Sequence, residues 1–150
     1  MTELKDRLQS DLTVAMKSRD ELRAATLRMA LTAVRNEEVA GKAARTLSDD
    51  EVVTVLMREA KKRREAAEAF DGGGRPDRAD RERAEGEVLA EYLPEQLSDA
   101  ELSALVTAAV QESGADGPRA MGQVMKVVGP RTVGRADGGR VAAEVKRQLG

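Results

Sequence analysis

"LSDDEVVTVLMREAKKRREAAEAFDGGGRP", residues 47–76, carries a helix with both of its ends marked. Ser48 and Glu51 stand three apart, the spacing of a capping box, and Leu47 and Val52 bracket them as a hydrophobic staple. Val52, Leu56, Glu59 with Ala60, and Arg63 then recur on one side at helical intervals. The pattern runs through "KKRREAAEAF" to Phe70, and three glycines followed by Pro76 cannot continue it cheaply. A chain built from such segments has few ways to make a core. Phe70 and Tyr92 are its only aromatics. The interior must therefore be Leu, Val, Ala and Met, which favours helices packed on helices over a sheet.

Upstream, Leu4, Leu8, Leu12 and Ala15/Met16 share a face, which predicts a helix over about residues 2–17. Ser18 precedes Glu21 by three and is expected to cap a second helix. There Leu27, Leu31 and Val34 form the apolar stripe, with Leu22 and Met29 beside it, and Gly41 stands where the helix would stop. Downstream, a highly charged helix over about 77–92 is anchored only at its far end, by Val88, Leu89 and Tyr92.

Pro94 restricts Leu93 and marks a boundary. Beyond it Ser98 and Glu101 repeat the capping box, with Leu97 and Leu102 as staple, and open a fifth helix that ends at Gly114. A sixth begins near Pro118, with Met121, Val124, Met125 and Val128 inward, and ends at "GP", 129–130. Asp137 can cap a last helix in which Val141, Val145 and Leu149 align. The expected fold class is all-α: a bundle of about four helices over 1–92 and a smaller three-helix domain over 93–150.

Composition narrows the chemistry. There is no cysteine and no histidine among the 150 residues. Thiolate nucleophiles, disulfides, Ser-His-Asp and Cys-His catalysis and imidazole metal ligation are excluded. No apolar run approaches the roughly 18 residues of a membrane span, and the first residues do not read as a signal peptide. A cytoplasmic protein without a membrane partner is the expectation. "DGGGR", 71–75, lacks the GK[ST] ending and the preceding strand of a phosphate-binding loop. The many carboxylates single out no catalytic pair, and neither a metal nor a cofactor is expected. The run "KKRRE", 61–65, points its side chains in different directions and reads as a solvated face, with the Arg63 stem packing inward. The methionines read as core filling.

Net charge is −2, but unevenly spread. Residues 93–113 hold four acids and no base, while 114–150 hold seven bases against three acids. Within the basic part lies "AMGQVMKVVGPRTVGRADGG", 120–139. One reading gives its glycines structural work: Gly122 lets two helices approach, and Gly134, Gly138 and Gly139 shape a turn. The other makes Gly138 and Gly139, at a helix start, an anion site. Arg131, Arg135 and Arg140 would flank it, and Lys126, Lys146 and Arg147 would extend the patch. Asp137 competes with that second reading, because a capping carboxylate occupies the same N–H groups.

"YLPEQLSDAEL" at 92–102, "MGQVMK" at 121–126 and "GRADGGRV" at 134–141 resemble signatures of the GatB/YqeY family. "LRM" at 27–29, "RNEE" at 35–38 and "GGRPD" at 73–77 are similar to its free-standing YqeY-type members. The resemblance implies an all-α fold whose smaller domain is similar to the tail of the B subunit of glutamine-dependent aminoacyl-tRNA amidotransferase. There the tail helps hold tRNA while the chemistry occurs in parts this chain lacks. What the resemblance implies is a non-catalytic RNA-binding accessory module, tRNA-related, using Lys126, Arg131, Arg135, Arg140, Lys146 and Arg147. Two alternatives stay open: a module that docks an amidotransferase or an aminoacyl-tRNA synthetase, and a carbon–nitrogen ligase with glutamine as amido donor. The RNA reading requires those cations to gather on one surface.

Overall fold

The computed structural model describes residues 3–150; the expected helix start at Thr2 lies outside them. Seven α-helices and no strand are found among the described residues, so the chain is all-α. They are α1 (Glu3–Lys17), α2 (Glu21–Glu38), α3 (Asp49–Gly72), α4 (Pro76–Ala90), α5 (Asp99–Ser113), α6 (Met121–Thr132) and α7 (Gly138–Leu149), with a 3-10 turn at Pro118–Ala120. The helices form two compact units, one ending at Leu93 and one spanning Pro94–Gly150.

In the first unit Leu8, Leu27, Leu31, Val34, Leu47 and Leu56 are fully or almost fully buried, with Leu89 and Tyr92 closing the cluster. The capping box at Ser48 is formed: its hydroxyl accepts from Glu51 N, and Glu51 reaches back to the Ser48 backbone. At α2 the cap is Asp20 rather than Ser18. The Ser18 hydroxyl turns back to the Ala15 carbonyl (3.2 Å), and Arg19 takes a left-handed φ of 59° that reverses the chain. Asp20 is then the residue three before the free Arg23 N–H. Met16 and Met29 do not fill the core; both are exposed.

Helix α4 is held along its length and not only at its far end. Ala79 is fully buried, and Glu85, 9% exposed, meets Arg63 of α3. Arg63 itself is 8% exposed, so the whole guanidinium is inside, beyond the inward stem expected of it. Its Nη1 donates to the Glu59 carboxylate (3.0 Å) and carbonyl (3.1 Å), and its Nη2 to Met29 Sδ (2.9 Å). Nε lies 3.8 Å from Glu85, which Arg81 also approaches at 3.4 Å. Burial raises the Glu85 carboxyl above the ordinary glutamate range, with nearby Glu82 adding to it and Arg63 and Arg81 opposing.

Tyr92 ends this unit at 4% exposure. Its hydroxyl donates to Asp11, and the Arg7 guanidinium lies 4.5 Å from the ring centroid. Burial first, and Asp11 second, push the phenol up to about 12. Because the chain has one tyrosine and no tryptophan, phenolate absorbance reads this group alone. We expect ionisation near 12 in the native protein and near 10 in denaturant. The native state thus retains a proton that the unfolded chain gives up, and stability falls as pH rises across that interval. A native midpoint at the denatured value would disprove the clamp.

The second unit has a purely aliphatic core: Leu97, Leu102, Val106, Ala109, Val124, Val128, Ala136, Val141 and Val145. The capping box at Ser98 is formed, and Gly114 ends α5 in the left-handed region (φ 63°). Pro118 opens the 3-10 turn, and α6 begins three residues later. Helix α6 does not stop at "GP" but continues through Pro130 to Thr132. A proline this close to a C-terminus costs one backbone bond, and the Thr132 hydroxyl covers the Val128 and Gly129 carbonyls at 3.2 and 3.1 Å.

Candidate nucleic-acid interface

The segment that follows α6 folds onto the one that precedes α5. Gly134 takes a φ of 77°, which a side chain resists, and turns the chain out of α6. The Gly134 carbonyl accepts from Gln96 Nε2 (2.8 Å), and the Arg135 carbonyl accepts from Leu97 N (2.8 Å). Arg135 Nε donates to the Glu95 carbonyl (3.3 Å). Arg140 Nη2 donates to the Leu97 carbonyl (3.1 Å) and to Asp99 (2.9 Å). "YLPEQLSD" and "GRADGGR" are therefore two halves of one structure, a strap over residues 95–97 held by 134–140.

The capping reading of Asp137 holds: its carboxylate accepts from Gly139 N at 2.8 Å, the same amide a bound anion would use. Gly138 and Gly139 are exposed. A Cβ at Gly138 would meet nothing, and the same is true of Gly122. The close helix approach assigned to Gly122 is thus absent, because that residue faces outward.

The six cations do not gather on one surface. Arg131 forms a two-pronged pair with Glu112 at the C-terminal end of α5 (3.1 and 2.6 Å). Arg140 binds Asp99 at the other end of the same helix, about 20 Å away along its axis. Arg135 serves the strap. Arg147 takes the Glu144 carboxylate through Nε at 3.0 and 2.9 Å. Lys126 and Lys146 are exposed, and neither has a side-chain partner among the described residues. The hydrogen bond from Arg131 holds the Glu112 carboxyl below its ordinary range, and that from Arg147 brings Glu144 down to about 2. These pairs are open to water and add little to stability.

The structure does bring together Arg140 and Arg147, two turns apart on α7. With Ala143 and Glu144 they line one wall of a groove of about 570 Å³, and Asp99 and Ser103 of α5 line the other. The acids in this picture were hidden from sequence reading by where the charge was divided. Counting from Pro94, the unit holds seven bases and seven acids. The pairs join residues 19 and 41 apart, and no local pattern announces them. On "KKRRE", Lys62 leans on Glu59 (2.9 Å) and Arg63 is inside, so the run makes no common face. No group of three or more metal-binding side chains is found among the described residues, nor any helix long and apolar enough to cross a membrane.

The described residues thus form a helical bundle followed by a small helical unit closed by a motif-to-motif strap. The family described as Yqey-like protein matches residues 5–149, and this chain belongs to that family. It is also 33% identical, over 93 residues, to an uncharacterized protein of Schizosaccharomyces pombe, a match covering 61% of this chain and 73% of the other.

Proposed function

We propose that this protein is a non-catalytic accessory module that binds structured RNA, tRNA foremost, through the solvent side of α7. Of the six cations expected to act together only Arg140 and Arg147 share a groove wall, with Lys146 on the adjoining face, and the reading is narrowed to these three. The likeness of "YLPEQLSDAEL" and "GRADGGRV" to the tRNA-holding tail of the amidotransferase B subunit supports it. Exchanging Asp99, which is 99% exposed, for a phosphate oxygen at Arg140 gives up an ion pair worth at most about 1 kcal/mol. A charge-assisted bond of about 1.5–3 kcal/mol replaces it.

Recognition would be by shape and phosphate contact rather than base stacking, since neither aromatic belongs to this unit and Tyr92 is buried. The lack of histidine and cysteine removes thiolate- and histidine-based amide transfer from this chain. The test is a fluorescence titration of the full chain with deacylated tRNA across salt. The three α7 cations contribute up to about −2 to −2.7 of the log–log slope. No binding at low salt would overturn the reading.

One observation favours a second reading, a protein-docking module for an amidotransferase or an aminoacyl-tRNA synthetase. The second unit is charge-balanced, with most of its arginines already engaged. A nuclease-resistant stoichiometric complex would favour it.

A further inference from the structure

The cations left without partners on the first unit are more telling than those of the second. Helix α2 carries three acids and three arginines. Each acid is engaged with another element: Glu21 with Arg81, Glu37 with Arg58, and Glu38 with Lys5 and the Leu47 amide. Arg23 pairs with Glu91. Arg28 and Arg35 remain. Both are exposed, and neither side chain makes a hydrogen bond or close ion pair among the described residues, while Arg35 helps at a distance to hold the Glu38 carboxyl below its ordinary range.

Seven residues separate them, so they lie on one stripe about 10 Å apart. Thr32 and Asn36 are exposed on the same side, while Leu27, Leu31 and Val34 turn the opposite side into the core. The motifs "LRM" and "RNEE" can then be divided by task. Leu27 packs, Met29 accepts from Arg63, and Glu37 and Glu38 tie α2 to α3 and α1. Arg28 and Asn36 make no side-chain hydrogen bond or ion pair among the described residues, and Arg35 acts only at a distance, on Glu38.

We propose that the Arg28–Thr32–Arg35–Asn36 stripe is a binding surface for the phosphate backbone of RNA. The inference rests on the RNA reading above but places contacts on a different unit. Three features favour this occupant. The guanidinium forks match phosphate oxygens in pairs. The Asn36 amide is of a kind regularly found against phosphate, whereas the Thr32 hydroxyl already donates to the Arg28 carbonyl (3.0 Å). No intramolecular ion pair has to break, unlike at Arg140 and Arg147, so each new contact is gained in full. The stripe also lacks the aromatic anchors that centre most protein interfaces.

The experiment compares the full chain with the double variant R28Q/R35Q and with K146Q/R147Q, each titrated with deacylated tRNA across salt. Loss of two phosphate contacts should make the salt slope shallower by about 1.4–1.8 and weaken binding about tenfold or more at low salt. R28K/R35K should restore most of the slope, because it keeps the charges. All variants should unfold at the wild-type denaturant midpoint, since the residues are exposed. If R28Q/R35Q binds like wild type while K146Q/R147Q weakens, the α2 surface is refuted and the α7 reading survives. If wild type binds no tRNA at low salt, both fall. If R28Q/R35Q instead loses a protein partner and keeps its RNA slope, the assignment to phosphate is wrong.

Discussion

Arg63→Ala should destabilise the first unit by about 3–5 kcal/mol, a large part of what holds a domain of this size together. The side chain is 8% exposed and stands between Glu59 and Glu85, each 9% exposed. Removing it leaves two carboxylates in the space between α3 and α4. Each retains one other cation, Lys62 at 2.9 Å for Glu59 and Arg81 at 3.4 Å for Glu85, so the lower end of the range is the better expectation. Urea unfolding measures it.

The pH dependence gives the mechanism away. Burial already raises the Glu85 carboxyl above its unfolded value, and Arg63 opposes that rise. Without Arg63 the folded value climbs further. A group raised in this sense binds its proton more tightly when folded, so acidification towards the ordinary glutamate range favours the folded state. The deficit of Arg63→Ala relative to wild type should therefore shrink as pH falls from neutrality. A deficit independent of pH would mean lost packing alone. Replacing Glu59, Arg63 and Glu85 together by apolar residues of similar volume should cost far less than the single change.

Arg140→Ala should cost the second unit about 1.5–3 kcal/mol, while Lys146→Ala and Lys126→Ala stay within about 0.5 kcal/mol. The difference follows from what Arg140 Nη2 touches. Its bond to exposed Asp99 is worth little, but its bond to the Leu97 carbonyl satisfies a strap that carries a core residue. Arg140→Lys keeps the charge on a shorter side chain without the rigid planar fork, and should recover only part of the loss. Equal effects at all three positions would show that the strap does not depend on Arg140.

How much of this was legible beforehand depends on distance along the chain. Ser48 with Glu51 and Ser98 with Glu101 gave the starts of α3 and α5, because a capping box is complete within four residues. The apolar spacings of α2, α5 and α7 gave the cores for the same reason. Ser18 misled, since the left-handed Arg19 shifts the helix start by two residues, and Asp20 caps the Arg23 amide where Ser18 would have taken that of Glu21. Pro130 misled because a proline in the last turn removes a single backbone bond, which does not suffice to end α6. The candidate site was read least well. Its arginines are surface groups, but Glu112 and Asp99 reach Arg131 and Arg140 through the fold, which segment charge cannot see, whereas Glu144 meets Arg147 at a helical i,i+3 spacing that the sequence does show. In the first unit the reverse happened. A balanced segment charge concealed two arginines that the packing leaves uncommitted.

The strap has a consequence for how the protein comes into being. Leu97 finds its acceptor at Arg135, and Gln96 at Gly134, nearly forty residues later. During synthesis the first unit can be finished while α5 still lacks the partners of its entrance. The second unit reaches its native form only after residues 134–140 are available, so a chain truncated before position 134 leaves the entrance of α5 without its partners.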